Sequence, residues 1–330
     1  MKILFYCPFK FNINSLKKNK LGGIESLNFE LAIRLAKIYK FKIFLATATN
    51  KKIINKYIIN IPIKLLKKKN YQFDIVISSN DPKIFNIFPY SKKIFWMHNT
   101  LAIEKAIRKK IFFPLLLNKI TVIFVSKFLQ NITTNFFFFN RKIIIPNFLL
   151  SYFSVNTKIN YSRKNIFIWA VQRETGIDQV IEVWKNKISL KNPGAELHIF
   201  GIKKNRFNKF KKDNIFYHGR VEKKVLIKFY KKSLAMICLG YDETFCLNAI
   251  EGMSCGLPII TFGYTSLGEI SLNNYNSFKI NSFDELDEII NKIINLNYYS
   301  KKKIIDNCIN FVKRFHIDNI IKYWQSALNI

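Results

Sequence analysis

Acidic side chains are scarce in this sequence. Its 330 residues hold 21 Asp plus Glu against 54 Lys plus Arg, a formal net charge of +33. Glycine (11), proline (8), cysteine (5) and histidine (4) are also few. So little glycine excludes a collagen-like repeat, and so few cysteines exclude a small disulfide-stapled scaffold. Cys7, Cys238, Cys246, Cys255 and Cys308 are odd in number, lie among apolar neighbours and form no Cys-x-x-Cys pair. Reduced core thiols of a cytoplasmic protein are expected, with neither a zinc site nor a disulfide frame. No sustained heptad is present, which excludes a coiled coil. No apolar run reaches the ~18 residues of a membrane-spanning helix; the nearest, 111–125, is broken by Pro114, Asn118 and Lys119. The opening Met1-Lys2-Ile3-Leu4-Phe5-Tyr6-Cys7-Pro8 is too short for a signal peptide and reads as a buried first strand.

Hydrophobic residues make up 49% of the chain. That is enough to bury one or two cores, and the length favours two domains at roughly 100–200 residues each. The basic excess has two readings. Over-use of Lys, Ile, Asn and Phe together is what AT-rich coding produces, leaving a solvated lysine coat. The other reading is attraction to phosphates of a nucleic acid or a membrane surface. The distribution is uneven: residues 1–150 carry 27 basic and 5 acidic side chains, residues 151–330 carry 27 and 16. None of the familiar nucleic-acid-binding motifs appears, so no nucleic-acid partner is expected.

Short apolar runs alternate with helical patterns almost throughout, the signature of βαβ units and parallel sheets. In the first half strands are predicted at 2–7, 42–46, 73–78, 93–97, 121–125 and 143–146. A helix is predicted over 23–37, with Ile24, Leu27, Leu31 and Leu35 on one face. The second half predicts strands at 165–170, 196–200, 215–218, 235–239 and 258–262, and helices at 176–187, 222–231, 245–254, 283–294 and twice more before the C-terminus. The expected fold class is α/β, two Rossmann-like domains facing a cleft. Their bounds are 1–150 and 165–330, with a polar linker over 151–164 and the last helix packing back on the first domain.

Ligands of open α/β sheets bind beyond the carboxyl ends of the strands. Four clusters lie at such places. Leu21-Gly22-Gly23-Ile24-Glu25 puts paired glycines at a helix start, where amides can approach a phosphate; a plain tight turn fits the same residues. It is not G-x-G-x-x-G, so a nicotinamide site has no support. His98, in Trp96-Met97-His98-Asn99-Thr100, ends a strand and is either a site residue or a histidine satisfied by backbone. Arg173, in Trp169-Ala170-Val171-Gln172-Arg173-Glu174-Thr175-Gly176, either clamps a phosphate or pairs with a carboxylate. The fourth cluster runs from Gly240 to Pro258 and holds Glu243 and Glu251. Eight helical steps rotate them by about 80° net and separate them by about 12 Å. Glu243 then stands at or just before a helix N-terminus with Glu251 two turns along, so the pair can grip two hydroxyl-bearing parts of one long ligand. The amides of Thr244 and Phe245 would be left for a phosphate.

The block Glu243-Thr244-Phe245…Glu251-Gly252-Met253-Ser254-Cys255-Gly256-Leu257-Pro258 resembles the donor-site signature of retaining glycosyltransferases of the GT-B fold, family 4 in particular. Leu21 to Glu25 is similar to that family's N-terminal glycine loop, Met97-His98-Asn99 to its strand-end histidine, and Pro193 to Gly201 and His218-Gly219-Arg220-Val221 to its second-domain strands. The resemblance spans essentially the whole chain. It implies that Glu251 binds the donor ribose, Glu243 the transferred sugar, and Thr244, Phe245, Gly22 and Gly23 the diphosphate, with His98 beside the donor sugar. The family's usual Lys-Gly pair is absent, since Thr175 precedes Gly176; Arg173 is the remaining candidate for the phosphate clamp. With no Asp-x-Asp in the sequence, no metal and no other cofactor are expected. The resemblance implies a nucleotide-sugar donor and a glycan or lipid-linked acceptor, in cell-envelope polysaccharide or lipopolysaccharide synthesis. A sugar-nucleotide epimerase or a glycan phosphorylase is the alternative of similar architecture. A basic segment, 101–113, reads as an amphipathic helix suited to an anionic membrane surface, with the Lys67-Lys68-Lys69 run adding to the attraction; an ordinary surface helix fits the same pattern. The expected location is cytoplasmic, peripheral to the inner face of the membrane.

Overall fold

The structure is a computed structural model that describes residues 1–11, 22–50, 52–66, 70–154, 159–170, 175–202 and 213–330. They form two compact units, Met1–Leu150 with Ile317–Ile330, and Ser151–His316.

The first unit is built on β1 (Lys2–Tyr6), β2 (Lys42–Thr47), β3 (Ile53–Ile54), β4 (Ile58–Pro62), β5 (Ile75–Ser79), β6 (Lys92–Met97), β7 (Ile120–Phe124) and β8 (Arg141–Ile144), in the order β3-β4-β2-β1-β5-β6-β7-β8. Only β3 runs antiparallel to its neighbour. All five residues of β5 and of β7 are buried. A parallel sheet covered on both faces favours such largely apolar runs, which is why its strands stand out in the sequence. Strands β3 and β4 do not stand out. Asn60 and Pro62 interrupt the apolar run of β4, yet Asn60 is buried because its amide donates to Leu45 O (2.8 Å) and Thr47 Oγ1 (3.0 Å). The Gly23–Tyr39 helix buries Leu27, Leu31 and Leu35 completely. Ile317–Leu328, the last helix, inserts Trp324 edge-on against Trp96, ring centroids 4.8 Å apart.

The second unit repeats the plan with β9 (Ile166–Trp169), β10 (Glu196–Phe200), β11 (Ile215–Gly219), β12 (Ala235–Cys238), β13 (Ile259–Thr261) and β14 (Ser277–Lys279). All are parallel, in the order β11-β10-β9-β12-β13-β14. Strand order reverses on either side of β9, so the crevice beyond β9 and β12 is the topological switch point of this sheet. Strand β14 was not expected, because Ser277 and Lys279 flank its single apolar residue, Phe278. The helix expected over 176–187 is regular only across Ile177–Val183 and widens into a π turn over Trp184–Ile188. There Trp184 is fully buried, its indole N–H donating to Asp213 O (3.1 Å).

The described residues of the stretch expected as a linker, 151–154 and 159–164, belong to the second unit. Tyr161 donates to Asp306 Oδ1 (2.8 Å), and the Arg163 guanidinium donates to four carbonyls of the unit. A polar sequence hid these anchors because their partners are far along the chain. The basic 101–113 segment also departs from expectation: it forms two short helices, Ile103–Arg108 and Phe112–Leu117. Ala106 is buried, whereas Ile107, expected on the same apolar side, is 59% exposed. Lys67, Lys68 and Lys69 lie outside the described residues. All five cysteines are buried and none is disulfide-bonded. Among the described residues no helix is long and apolar enough to cross a membrane.

Candidate functional site

Beyond β12 the chain runs Leu239 to Cys246 without regular structure before the Leu247–Ser254 helix begins. The helix was expected to start at 245. Cys246 holds a non-helical ψ of 89°, and the Glu243 carbonyl accepts from Ser266 N (3.3 Å) and Ser266 Oγ (2.8 Å). Those bonds tie the Glu243 backbone to Ser266 ahead of the helix. Glu243 therefore lies four residues before the helix, in the loop, and Glu251 in its second turn. Glu243 is 8% exposed and Glu251 1%. Thr244 is buried beside Glu243, and Phe245 sets its ring 6.0 Å from Phe315.

The loop after β9 meets this segment closely. Thr175 Oγ1 donates to Asp242 Oδ1 (3.1 Å). Gly176 has φ of 90°, and a Cβ there would fall 2.7 Å from Leu239 O, so both conformation and space demand glycine. The Asn248 amide, from the first turn of the Leu247–Ser254 helix, donates to Ala170 O at the end of β9. Arg173 lies outside the described residues.

A carboxylate as buried as Glu251 is costly unless paired. Its partner is Lys223, the first residue of the Lys223–Lys232 helix, whose ammonium lies 2.7 Å from each Glu251 oxygen. Burial pushes the Glu251 pKa above the usual carboxylate value, and the Lys223 charge pulls the other way. Lys223 also lies 5.2 Å from the Phe153 ring centroid. The sequence reading missed Lys223; the only signal available was that a glutamate inside an apolar helix face requires a cation.

In the first unit, His98 follows β6 and is 5% exposed. Its backbone N–H donates to Asn80 Oδ1 (2.9 Å), and Asn80 holds a φ of 60° at the end of β5. The His98 ring packs 4.7 Å from Trp96, which Trp324 backs in turn. Burial drives the His98 pKa down to about 3, so its imidazole is neutral at physiological pH and offers a hydrogen bond without charge. Gly22 caps the Gly23–Tyr39 helix in extended conformation, with Ser26 N (3.1 Å) and Oγ (2.9 Å) donating to its carbonyl. The Glu25 carboxylate lies where a Gly22 Cβ would project, so a side chain at 22 would displace it. Asn28 joins this helix to β5 through a buried pair of hydrogen bonds with Ser79 (2.8 and 3.0 Å). Thus Gly22 and Gly23 stand at a helix start and His98 at a strand end in one unit, whereas in the other Glu243, Thr244 and Phe245 lie in the loop after β12 and Glu251 in the helix that follows it.

Residues 153–311 match the family Glycosyl transferases group 1. A Methanocaldococcus jannaschii protein described as an uncharacterized glycosyltransferase is 27% identical over 231 residues, 66% of this chain and 62% of that protein. The chain thus spans less than two thirds of that relative's length. Among solved structures, the Anabaena protein HepE in complex with UDP and glucose matches with a TM-score of 0.72 at 14% identity, covering 100% of this chain and 99% of that one. WaaG, a glycosyltransferase involved in lipopolysaccharide biosynthesis, matches with a TM-score of 0.71 at 13% identity, covering 98% of each chain. The fold is that of the GT-B glycosyltransferases, an α/β architecture of two parallel-sheet domains.

Proposed function

We propose that this chain is a retaining, metal-independent glycosyltransferase of family 4. It moves a hexosyl or related sugar from a nucleotide-sugar to a glycan or lipid-linked acceptor of the cell envelope. The observation that carries this reading is the placement of Glu243 and Glu251, both buried, one in the loop and one in the helix beyond the β9–β12 switch point. Glu251 binds the ribose and Glu243 the hydroxyls of the transferred sugar, with Thr244 and Phe245 towards the diphosphate. Gly22 and Gly23 approach the diphosphate and His98 the donor sugar. HepE, crystallised with UDP and glucose, and WaaG, named for lipopolysaccharide biosynthesis, support a nucleotide-sugar donor and an envelope acceptor.

In the reaction the bond between the anomeric carbon and the diphosphate oxygen breaks. The acceptor hydroxyl bonds to that carbon from the same face, and its proton passes to the departing diphosphate. Negative charge grows on the diphosphate, where backbone amides and the Arg173 guanidinium receive it. The test is a product assay with a panel of nucleotide-sugars, reading the anomeric configuration by NMR. Hydrolysis alone, phosphorolysis or an epimerised nucleotide-sugar would overturn the reading.

Two further expectations follow from it. The sequence has no Asp-x-Asp, so transfer should persist in excess EDTA with at least half its activity; complete loss restored by manganese would refute metal independence. The second expectation concerns the membrane. Phe113, Leu117 and Phe138 are 66%, 73% and 89% exposed in the first unit, and Arg108, Lys109 and Lys110 are exposed nearby in sequence. We read this surface as one that docks on anionic lipid, where each cation contributes about 1 kcal/mol. Sedimentation with anionic liposomes should pellet the protein at low salt, less at high salt, and less again when Arg108, Lys109 and Lys110 become Gln. Equal pelleting with neutral liposomes would end the idea.

A further inference from the structure

Lys223 occupies an electrostatically poor place. It is the first residue of the Lys223–Lys232 helix, where the helix dipole disfavours a cation. It is 26% exposed, and its ammonium lies against a carboxylate that is 1% exposed, 2.7 Å from both oxygens. Phe153 stands under the same ammonium, 5.2 Å from it to the ring centroid. A carboxylate has about four lone-pair positions, two on each oxygen. A single ammonium reaching both oxygens fills one position on each. It fixes the carboxylate plane and leaves the second position of each oxygen for two neighbouring hydroxyls. An ammonium has three N–H groups, so one remains beyond the two spent on Glu251.

We propose that Lys223 is a positioning residue of the nucleotide site, orienting the Glu251 carboxylate so that its remaining lone pairs receive the two hydroxyls of a ribose. The inference rests on the assignment of ribose to Glu251 above. Around Glu251, the Lys223–Lys232 helix contributes Lys223 and Tyr230, and the end of the carboxylate's own helix contributes Cys255. The Tyr298–Val312 helix packed on it buries Cys308, and β12 buries Cys238. Burial raises the pKa of Tyr230, Cys255 and Cys308. Lys223 is therefore the cation that opposes the upward push of burial on the Glu251 pKa. Without it, the buried carboxyl takes up a proton as pH falls and one oxygen ceases to accept.

The experiment is calorimetric titration of the full chain with UDP, GDP and ADP and their 2′-deoxy counterparts, between pH 6 and pH 8. The wild type should prefer the ribonucleotide it binds over the deoxy form, with an affinity that varies less with pH than that of Lys223→Met. Lys223→Met should weaken the ribonucleotide about 10- to 100-fold, the range of a lost charge-assisted hydrogen bond. The loss should be greater at pH 6 than at pH 8, and the preference over the deoxy form should collapse. Lys223→Arg should restore both. If Lys223→Met does not fold, the pair Glu251→Gln and Glu251→Gln/Lys223→Met replaces it, and deleting Lys223 should then add no further loss. A wild-type ribose preference and pH profile in Lys223→Met, or a further loss in the double variant, would overturn the positioning role alone. A wild type that binds none of the three nucleotides would overturn the functional reading and this inference with it.

Discussion

Glu243→Ala should lower the turnover of sugar transfer about 10- to 100-fold with little change in KM, whereas Glu251→Ala should raise the donor KM by a similar factor. Each substitution removes a charge-assisted hydrogen bond of about 1.5–3 kcal/mol. The difference arises from position. Glu251 sits in the second turn of the Leu247–Ser254 helix, held by Lys223 before any ligand arrives, so its contribution is made on binding and persists into the transition state. Glu243 sits in the loop ahead of that helix, its backbone pinned by Ser266. A carboxylate there, against a sugar that flattens and gains positive charge, strengthens its interaction during the reaction, and such interactions appear in kcat. Glu251→Ala also leaves the Lys223 ammonium without its buried partner. Glu251→Gln, which keeps the shape, separates that structural cost from the loss of ribose binding. Steady-state kinetics decides the matter: unchanged constants in both alanine variants would remove these residues from the site.

The second large effect is on stability. Arg163→Met should destabilise the second unit by about 2–4 kcal/mol, lowering its melting temperature by roughly 5–12 °C. The Arg163 guanidinium donates to Tyr230 O (2.5 Å) and Ser233 O (3.3 Å) at the end of the Lys223–Lys232 helix. Its other nitrogen donates to Cys255 O (2.7 Å) and Gly256 O (3.3 Å) past the Leu247–Ser254 helix. Helix C-termini leave carbonyls without intrahelical partners, and a cation there also complements the dipole. One planar guanidinium serves two helix ends at once, a geometry lysine cannot reproduce. Burial lowers the Arg163 pKa to about 10, which still leaves it charged at physiological pH. Gly256 completes the arrangement. Its φ is 75°, and a Cβ there would meet Ile305 Cγ2 at 2.5 Å and the guanidinium at 2.9 Å. Thermal denaturation followed by circular dichroism checks the expectation, with Arg163→Lys intermediate. A melting temperature within about 1 °C of wild type would show that water replaces the clamp at no cost.

Arg163 also shows where sequence reading ended. The α/β alternation and most of the strands are legible in the sequence alone. A strand buried on both faces reads as a mostly apolar run, as Ile75-Val76-Ile77 in β5 and Val122-Ile123-Phe124 in β7 do, and that signal is local. The sequence also singles out Glu243 and Glu251 as candidates, since both belong to one loop-helix segment whose spacing is set by chain geometry. It located the helix start two residues early, because the Ser266 bonds that hold Glu243 in the loop come from beyond β13. It took residues 151–164 for a linker, because nothing within that stretch shows that Arg163 finds partners 67 to 93 residues away. The pairings that depend on which strands and helices become neighbours come from long-range packing. Lys223 meets Glu251 across 28 residues, Asn80 holds the His98 amide across 18, and Asn28 meets Ser79 across 51. A buried carboxylate or amide announces that it needs a partner, but a local pattern carries no information about a residue that strand order brings alongside. The partners of this site are set by sheet topology, and topology is a property of the folded chain.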